Sequence, residues 1–207
     1  MIKKKGLLLV ISGPSGAGKG TVCKELLKRN PDFKLSVSAT TRAPREGEVD
    51  GESYFFLTKE KFSEMIGQGG FLEYAQIYSN FYGTPKGPVM KYLEEGSDVI
   101  LEIEMQGARQ VKEMYPEAVL IFVLPPSLEE LRNRLTTRGT ETEEQVNERL
   151  STSLEEIKQV KDYNYFIFNE NNKTTESAKI IEDIIVAEKN KASRYEKAII
   201  KKFEEEL

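Results

Sequence analysis

Between Leu7 and Thr21 the chain reads LLLVISGPSGAGKGT, and no other stretch restricts the possible folds so much. Leu7–Ile11 is a short, continuous apolar run, which suits a strand buried on both faces of a parallel sheet. It stops at Ser12-Gly13. Gly13-Pro14-Ser15-Gly16-Ala17-Gly18-Lys19 then gives the G-x-x-x-x-G-K spacing of a phosphate-binding loop. In such a loop, glycines let the backbone approach phosphate oxygens, successive N–H groups turn inward, and the following helix presents its positive end. Lys19 adds a charge for the β- and γ-phosphates. Without a ligand the same residues would be a Gly-rich strand-to-helix turn. The buried strand before it and the helical stretch Lys19–Arg29 after it favour nucleotide binding. The general loop follows its lysine with a hydroxyl residue that reaches Mg²⁺. Here Gly20 stands in that place and Thr21 comes next. The reading is a metal held by nucleotide oxygens and water, with Thr21 serving a phosphate.

Downstream, apolar strands alternate with helical stretches. Strands are expected at Leu35–Ser38, Tyr54–Leu57, Asp98–Glu104, Ala118–Leu124 and Tyr165–Phe168, with one or two more within Phe71–Tyr82. Helices are expected over Thr58–Gly67, Gln106–Met114 and a segment including Ile180–Ala187. Thr84-Pro85 reads as an N-cap and first helical residue of a helix that stops at Gly96. Ser127 with Glu130, and Thr142 with Gln145, read as capping boxes for helices reaching Arg138 and Val160. This alternation predicts an α/β layered fold with a mainly parallel sheet. Residues 36–84 break it with short strands and a polar, turn-rich loop, and so form an inserted lobe. In the charge-rich stretch from Glu188 to Leu207, the residues Tyr195, Ile199, Phe203 and Leu207 recur every fourth position, as on one helical face. A solvated helix is expected there, with self-association as the alternative.

The chain has 207 residues, enough for one domain with insertions. Its 39% hydrophobic and 31% charged content suits a soluble globular protein. A net charge of −4 leaves no basic footprint for nucleic acid, so an anion site must be a local cluster of Lys and Arg. Cys23 is the single cysteine, so no intrachain disulfide forms. No apolar stretch approaches the ~20 residues of a membrane span. Lys3–Lys5 before Leu7–Ile11 imitate a signal peptide, but the apolar core falls short of the roughly 7–15 residues required. The expectation is a cytoplasmic protein with no membrane partner. The chain contains no histidine, so any catalysis proceeds without the commonest neutral-pH proton shuttle.

Four further blocks, SVSATTRAPREGEVDGESY (Ser36–Tyr54), GFLEYAQIYSNFYGTP (Gly70–Pro85), LEIEMQGA (Leu101–Ala108) and RNRLTTRGTETEEQVNERL (Arg132–Leu150), follow the phosphate loop in order. Together with it they resemble the guanylate kinase family over roughly residues 6–190. That resemblance implies a three-layer P-loop NTPase fold with a mainly parallel central sheet, an inserted GMP-binding lobe and a helical lid. Its parts would be a core of residues 1–35, 85–125 and 161–190, the lobe 36–84, the lid 126–160 and a charged helical tail 188–207. It implies transfer of the γ-phosphoryl group of ATP to GMP, and to dGMP, with Mg²⁺ carried on ATP, serving purine nucleotide metabolism and GMP recycling. ATP would lie on Gly13, Pro14, Ser15, Gly16, Ala17, Gly18, Lys19, Gly20 and Thr21. Ser38, Arg42, Arg45, Tyr54 and Tyr82 would hold the GMP phosphate, where arginines act as bidentate donors. Glu73 would accept from the ring N–H and exocyclic amine of guanine, with Thr84 reaching the guanine carbonyl. Glu104 stands where the family usually has Asp, as a guanine contact or beside metal-bound water, with Glu102 near the metal. Lys19, Arg42, Arg134, Arg138 and Arg149 would be catalytic, the last three as lid arginines; Arg134 and Arg138 share one helical face. A monomer or homodimer is expected. The rival class, a scaffold domain that binds phosphopeptides, tends to lack these loop and lid charges.

Overall fold

Successive side chains of a strand point to opposite faces, and along Leu7–Ile11 both faces are covered. Leu7, Leu9 and Ile11 pack with Val22, Cys23, Leu26, Ala178, Ile181 and Ile185, whereas Leu8 and Val10 pack with Val89, Leu93, Ala108 and Val111. A strand with two apolar faces needs a helical layer on each side, and that requirement builds the rest of the core.

The computed structural model describes residues 5–137 and 142–206. In chain order its elements are β1 (Leu8–Ser12), α1 (Lys19–Arg29), β2 (Lys34–Leu35), β3 (Ala39–Thr40), β4 (Phe55–Phe56), α2 (Lys59–Gly67), β5 (Phe71–Ile77), β6 (Asn80–Pro85) and α3 (Lys86–Glu95). There follow β7 (Val99–Glu102), α4 (Met105–Met114), β8 (Val119–Leu124), α5 (Leu128–Thr137), α6 (Glu143–Ile157), a 3₁₀ turn (Lys158–Asp162), β9 (Tyr165–Phe168), α7 (Thr174–Lys189), a second 3₁₀ turn (Ala192–Arg194) and α8 (Glu196–Glu204).

The central sheet has the order β2-β7-β1-β8-β9, and every pairing in it is parallel. Helices α1 and α7 cover one face; α3 and α4 cover the other. The strands flanking β1 come later in the chain on both sides, so the crevice beyond the carboxyl end of β1 is where a ligand belongs in such a sheet. A second sheet, β4-β3-β6-β5, has the small core Ala39, Phe62 and Phe71, with Phe62 stacked on Phe71 at 4.4 Å.

Several elements differ from their sequence reading. Leu35–Ser38 is not one strand. Lys34–Leu35 pairs with β7 in the central sheet, and the chain then crosses to the second sheet at Ala39–Thr40. Thr84 is no N-cap: β6 runs on through Pro85, and Thr84 pairs across the hairpin with Glu73. Its hydroxyl donates to the Glu73 carboxylate at 2.6 Å, and that bond replaces the capping one. The Ser127 box is half made. Ser127 Oγ accepts from Glu130 N–H, but the Glu130 carboxylate turns to Arg134. The Thr142–Gln145 box is complete. In the tail, Ile200 and Phe203 of α8 are exposed; Leu207 lies outside the described residues.

Candidate active site

The phosphate loop leaves the carboxyl end of β1 and closes on α1, whose N-cap, Gly18, has φ 90°. A side chain there would be strained, and its Cβ would stand 2.2 Å from Asn169 Nδ2. Asn169 donates to the Ala17 carbonyl at 3.0 Å. Arg134 braces the same carbonyl. It makes four hydrogen bonds, to Ala17 O at 3.1 Å, Asn169 O at 2.7 Å, Asn171 Oδ1 at 2.9 Å and Glu130 Oε1 at 2.8 Å. Its guanidinium is therefore built into the wall of the loop. Lys19 Nζ donates to Gly13 O at 2.6 Å and stands 3.8 Å from Glu104 Oε1.

From α6, Arg149 Nη2 donates to Ser15 Oγ at 2.7 Å. Glu156, two turns further along, receives the Ser15 backbone N–H, and burial together with the neighbouring Glu104 pushes its carboxyl above the usual range. Glu102, at the end of β7, is pushed up by burial, with Lys19 opposing the shift. A Cβ at position 20 would stand 3.2 Å from Glu102 Oε1, so a carboxylate faces the space that a longer residue would enter. Arg138 lies outside the described residues.

Beside the loop a cleft of about 420 Å³ opens between the two sheets, lined by Ser38, Tyr54, Glu73, Tyr82, Glu102 and Glu104, among others. Glu73, on β5, is 8% exposed. Burial raises its pKa, and the Thr84 hydroxyl opposes the shift. Behind it Gly107 is required by close approach: a Cβ there would lie 2.6 Å from Glu73 Oε2. Thr84 itself is fully buried. Its hydroxyl donates to Glu73, so the two side chains meet at the back of the cleft.

Arg42 lies at the rim of this lobe. Glu48 takes both its terminal nitrogens, Nη1 at 2.9 Å and Nη2 at 2.8 Å, and the guanidinium rests over the Tyr54 ring at 5.4 Å. The Arg42 hydrogen bonds hold the Glu48 carboxyl down to about 2. The Tyr82 hydroxyl is a further hydrogen-bond partner of the same guanidinium. Arg45 is exposed on the same loop, and its backbone N–H donates to Glu48 at 2.7 Å.

The loop residues, Lys19, Arg134 and Arg149 thus gather at one rim, and Ser38, Tyr54, Glu73, Tyr82 and Glu104 gather in the adjoining cleft. Sequence reasoning missed Glu48, Asn169 and Glu156. Asn169 and Glu156 meet the loop from far along the chain, and no local spacing marks them. Glu48 stands in the block already singled out, where its place six residues after Arg42 was the available signal.

The model of the guanylate kinase family matches residues 5–188. A guanylate kinase of Clostridioides difficile (strain 630) is 70% identical over 207 residues, covering 100% of both chains. One of Caldanaerobacter subterraneus subsp. tengcongensis is 53% identical over 206 residues, covering 100% of this chain and 99% of that one. The crystal structure of guanylate kinase from Anaplasma phagocytophilum has a TM-score of 0.71 at 35% identity, covering 92% of this chain and 89% of that one.

Proposed function

This chain belongs to the guanylate kinase family and is an ATP:GMP phosphotransferase, and from that premise we propose how its residues divide the reaction. One observation carries the division. Glu104 stands 3.8 Å from Lys19 of the phosphate loop and also lines the cleft that holds Glu73, so donor and acceptor sites adjoin.

ATP lies on residues 13–21, with Lys19 and the lid residues Arg149 and Arg138 sharing the charge of the transferring group. Arg134 acts as a positioning residue, since its donors hold the loop wall. In the lobe, residues 36–84, the side chains of Arg42, Arg45, Ser38, Tyr54 and Tyr82 grip the acceptor phosphate. Glu73 takes two hydrogen bonds from guanine, and Thr84 steadies it. dGMP is accepted as well, because none of these contacts needs the 2′-hydroxyl. The lid, residues 126–160, closes over both substrates and excludes water, which suppresses ATP hydrolysis.

The attacking group is an oxygen of the GMP phosphate. Its second pKa is near ~6, as for other phosphomonoesters, so it is already ionised at neutral pH and no histidine is required. Glu102 and Glu104, together at the end of β7 and beside Lys19, fit a Mg²⁺ ion that enters with ATP and is reached through water. When bound, that ion neutralises charge on the β- and γ-phosphates. We place the enzyme in the cytoplasm, as a monomer or homodimer. Among the described residues no helix is long and apolar enough to cross a membrane.

The test is ADP release from Mg²⁺-ATP with GMP, dGMP, AMP, CMP and UMP in turn. GMP and dGMP are expected to support turnover. Absence of ADP above the no-acceptor control with every monophosphate would overturn the reading.

A further inference from the structure

Strand β5 is the edge of the second sheet, so its outward backbone groups have no strand to pair with. At Tyr74 a side chain supplies the partner. Gln110 Oε1 accepts from the Tyr74 N–H at 3.1 Å, and Gln110 Nε2 donates to the Tyr74 carbonyl at 3.0 Å. One amide thus reproduces the pair of bonds that a neighbouring antiparallel residue would exchange.

Position gives these two bonds their meaning. Tyr74 follows Glu73, the buried carboxylate of the cleft. Gln110 lies on α4, one turn after Gly107, whose missing Cβ leaves room for Glu73 Oε2. The helix therefore fixes the strand backbone beside the carboxylate and floors the carboxylate itself. It also starts directly after Glu104, with only Ile103 and Glu104 between it and the core strand β7. Of the residues assigned to the acceptor phosphate, Ser38, Arg42, Arg45 and Tyr54 lie on or near β3 and β4, on the other side of the same sheet, and Tyr82 lies on β6 between them and β5.

We propose that Gln110 is a positioning residue for base choice: by stapling β5 to α4 it holds Glu73 in its guanine-reading place whether or not ATP is bound. The inserted lobe then has a fixed base-reading edge, and guanine is selected at encounter. This inference rests on the assignment of Glu73 as the guanine reader.

The probes are GMP and inosine monophosphate, which keeps the ring N–H and carbonyl of guanine but lacks the exocyclic amine. Their ratio reports on the second hydrogen bond to the carboxylate. In the wild type, the GMP-to-IMP ratio of binary dissociation constants measured without ATP should match the ratio of kcat/KM. In Gln110→Ala that ratio should narrow roughly 3- to 10-fold, the worth of a hydrogen bond. KM for GMP should rise while KM for ATP stays near wild type. Gln110→Asn, with the same amide on a shorter stem, should behave as Ala does, because it cannot span both Tyr74 groups. A merely structural role would weaken GMP and IMP alike, so an unaltered ratio in folded Gln110→Ala, or a wild-type ratio in Gln110→Asn, would overturn the proposal. Glu73→Gln run in parallel separates the two claims. If it narrows the ratio and Gln110→Ala does not, the staple alone fails. If neither narrows it, the base is read elsewhere.

Discussion

Glu73, the proposed guanine reader, shows what such a role would demand of a single residue. Its carboxyl is buried and raised in pKa, and the Thr84 hydroxyl offsets only part of the desolvation. A carboxyl whose folded pKa lies above its unfolded value weakens the fold at pH above the folded pKa, and that penalty fades as pH falls toward the ordinary value of 4.5. Glu73→Gln keeps an acceptor for Thr84 and removes the charge. Two outcomes are expected together: a higher Tm at pH 8, with the gap to wild type closing by about pH 4.5, and a lower kcat/KM for GMP with a narrower GMP-to-AMP ratio. Thermal melts across pH and kinetics with both acceptors check this; a variant with lower Tm at pH 8 would remove the trade. The strand-loop-helix setting of Gly13–Lys19 is legible in the sequence from its local spacing, and the block order singles out Glu73, which lines the cleft. Thr84 was misread because a hydroxyl before proline serves a helix cap or a cross-strand carboxylate equally well, and only the hairpin register decides. Asn169 was invisible because its partner, Ala17, is 152 residues away.

Among the elements, α6 carries Arg149 and Glu156 to Ser15, and its start is fixed by the reciprocal bonds of Thr142 and Gln145. Thr142→Ala removes one of these and should cost about 1 kcal/mol at that helix end. Because α6 touches the phosphate loop through Arg149 and Glu156, the loss is expected to appear as lower kcat with KM for GMP within about twofold. Hydrogen exchange should show faster exchange in the first turn of α6. If KM for GMP rose instead at constant kcat, α6 would belong to the acceptor site. This capping box could be read from sequence because its two residues are three apart. Strands β2 and β3 could not be resolved, since two-residue strands show no period and the switch between sheets at 36–38 leaves no mark in residue type. The half-made box at Ser127 has the same lesson: Glu130 had two partners in reach, and the ion pair with Arg134 won.

Across the whole molecule, the carboxyl-terminal region is tied to the core by buried charge. Lys189 Nζ meets Asp98, which also accepts the Leu7 N–H. Glu188, 4% exposed, receives Tyr165, Lys191 and Arg194, and Arg194 continues to the Glu117 carbonyl. Burial alone would raise the Glu188 pKa, but the bonds from Arg194, Tyr165 and Lys191 outweigh it and hold the carboxyl low. Its contribution is therefore present above the ordinary value of 4.5 and is lost as pH falls through the lowered folded value. Glu188→Ala strands those donors and should destabilise by roughly 3 kcal/mol, with the deficit in Tm shrinking below pH 4. A loss under about 0.5 kcal/mol, the range of ordinary surface changes, would mean the hub is solvated in solution. The layered α/β order was readable from alternating apolar runs; this hub was not, because its members come from β9, α7 and the turn after it. The bracing of the phosphate loop by Arg134 and Asn169 acts at the same scale, joining α5, the loop and the end of β9 into one body through protein contacts alone. Conformational freedom that a glycine-rich loop would otherwise surrender on binding is surrendered during folding. Nucleotide entry then orders little new chain in the loop or α5, and its entropic penalty falls mainly on the lid beyond α5.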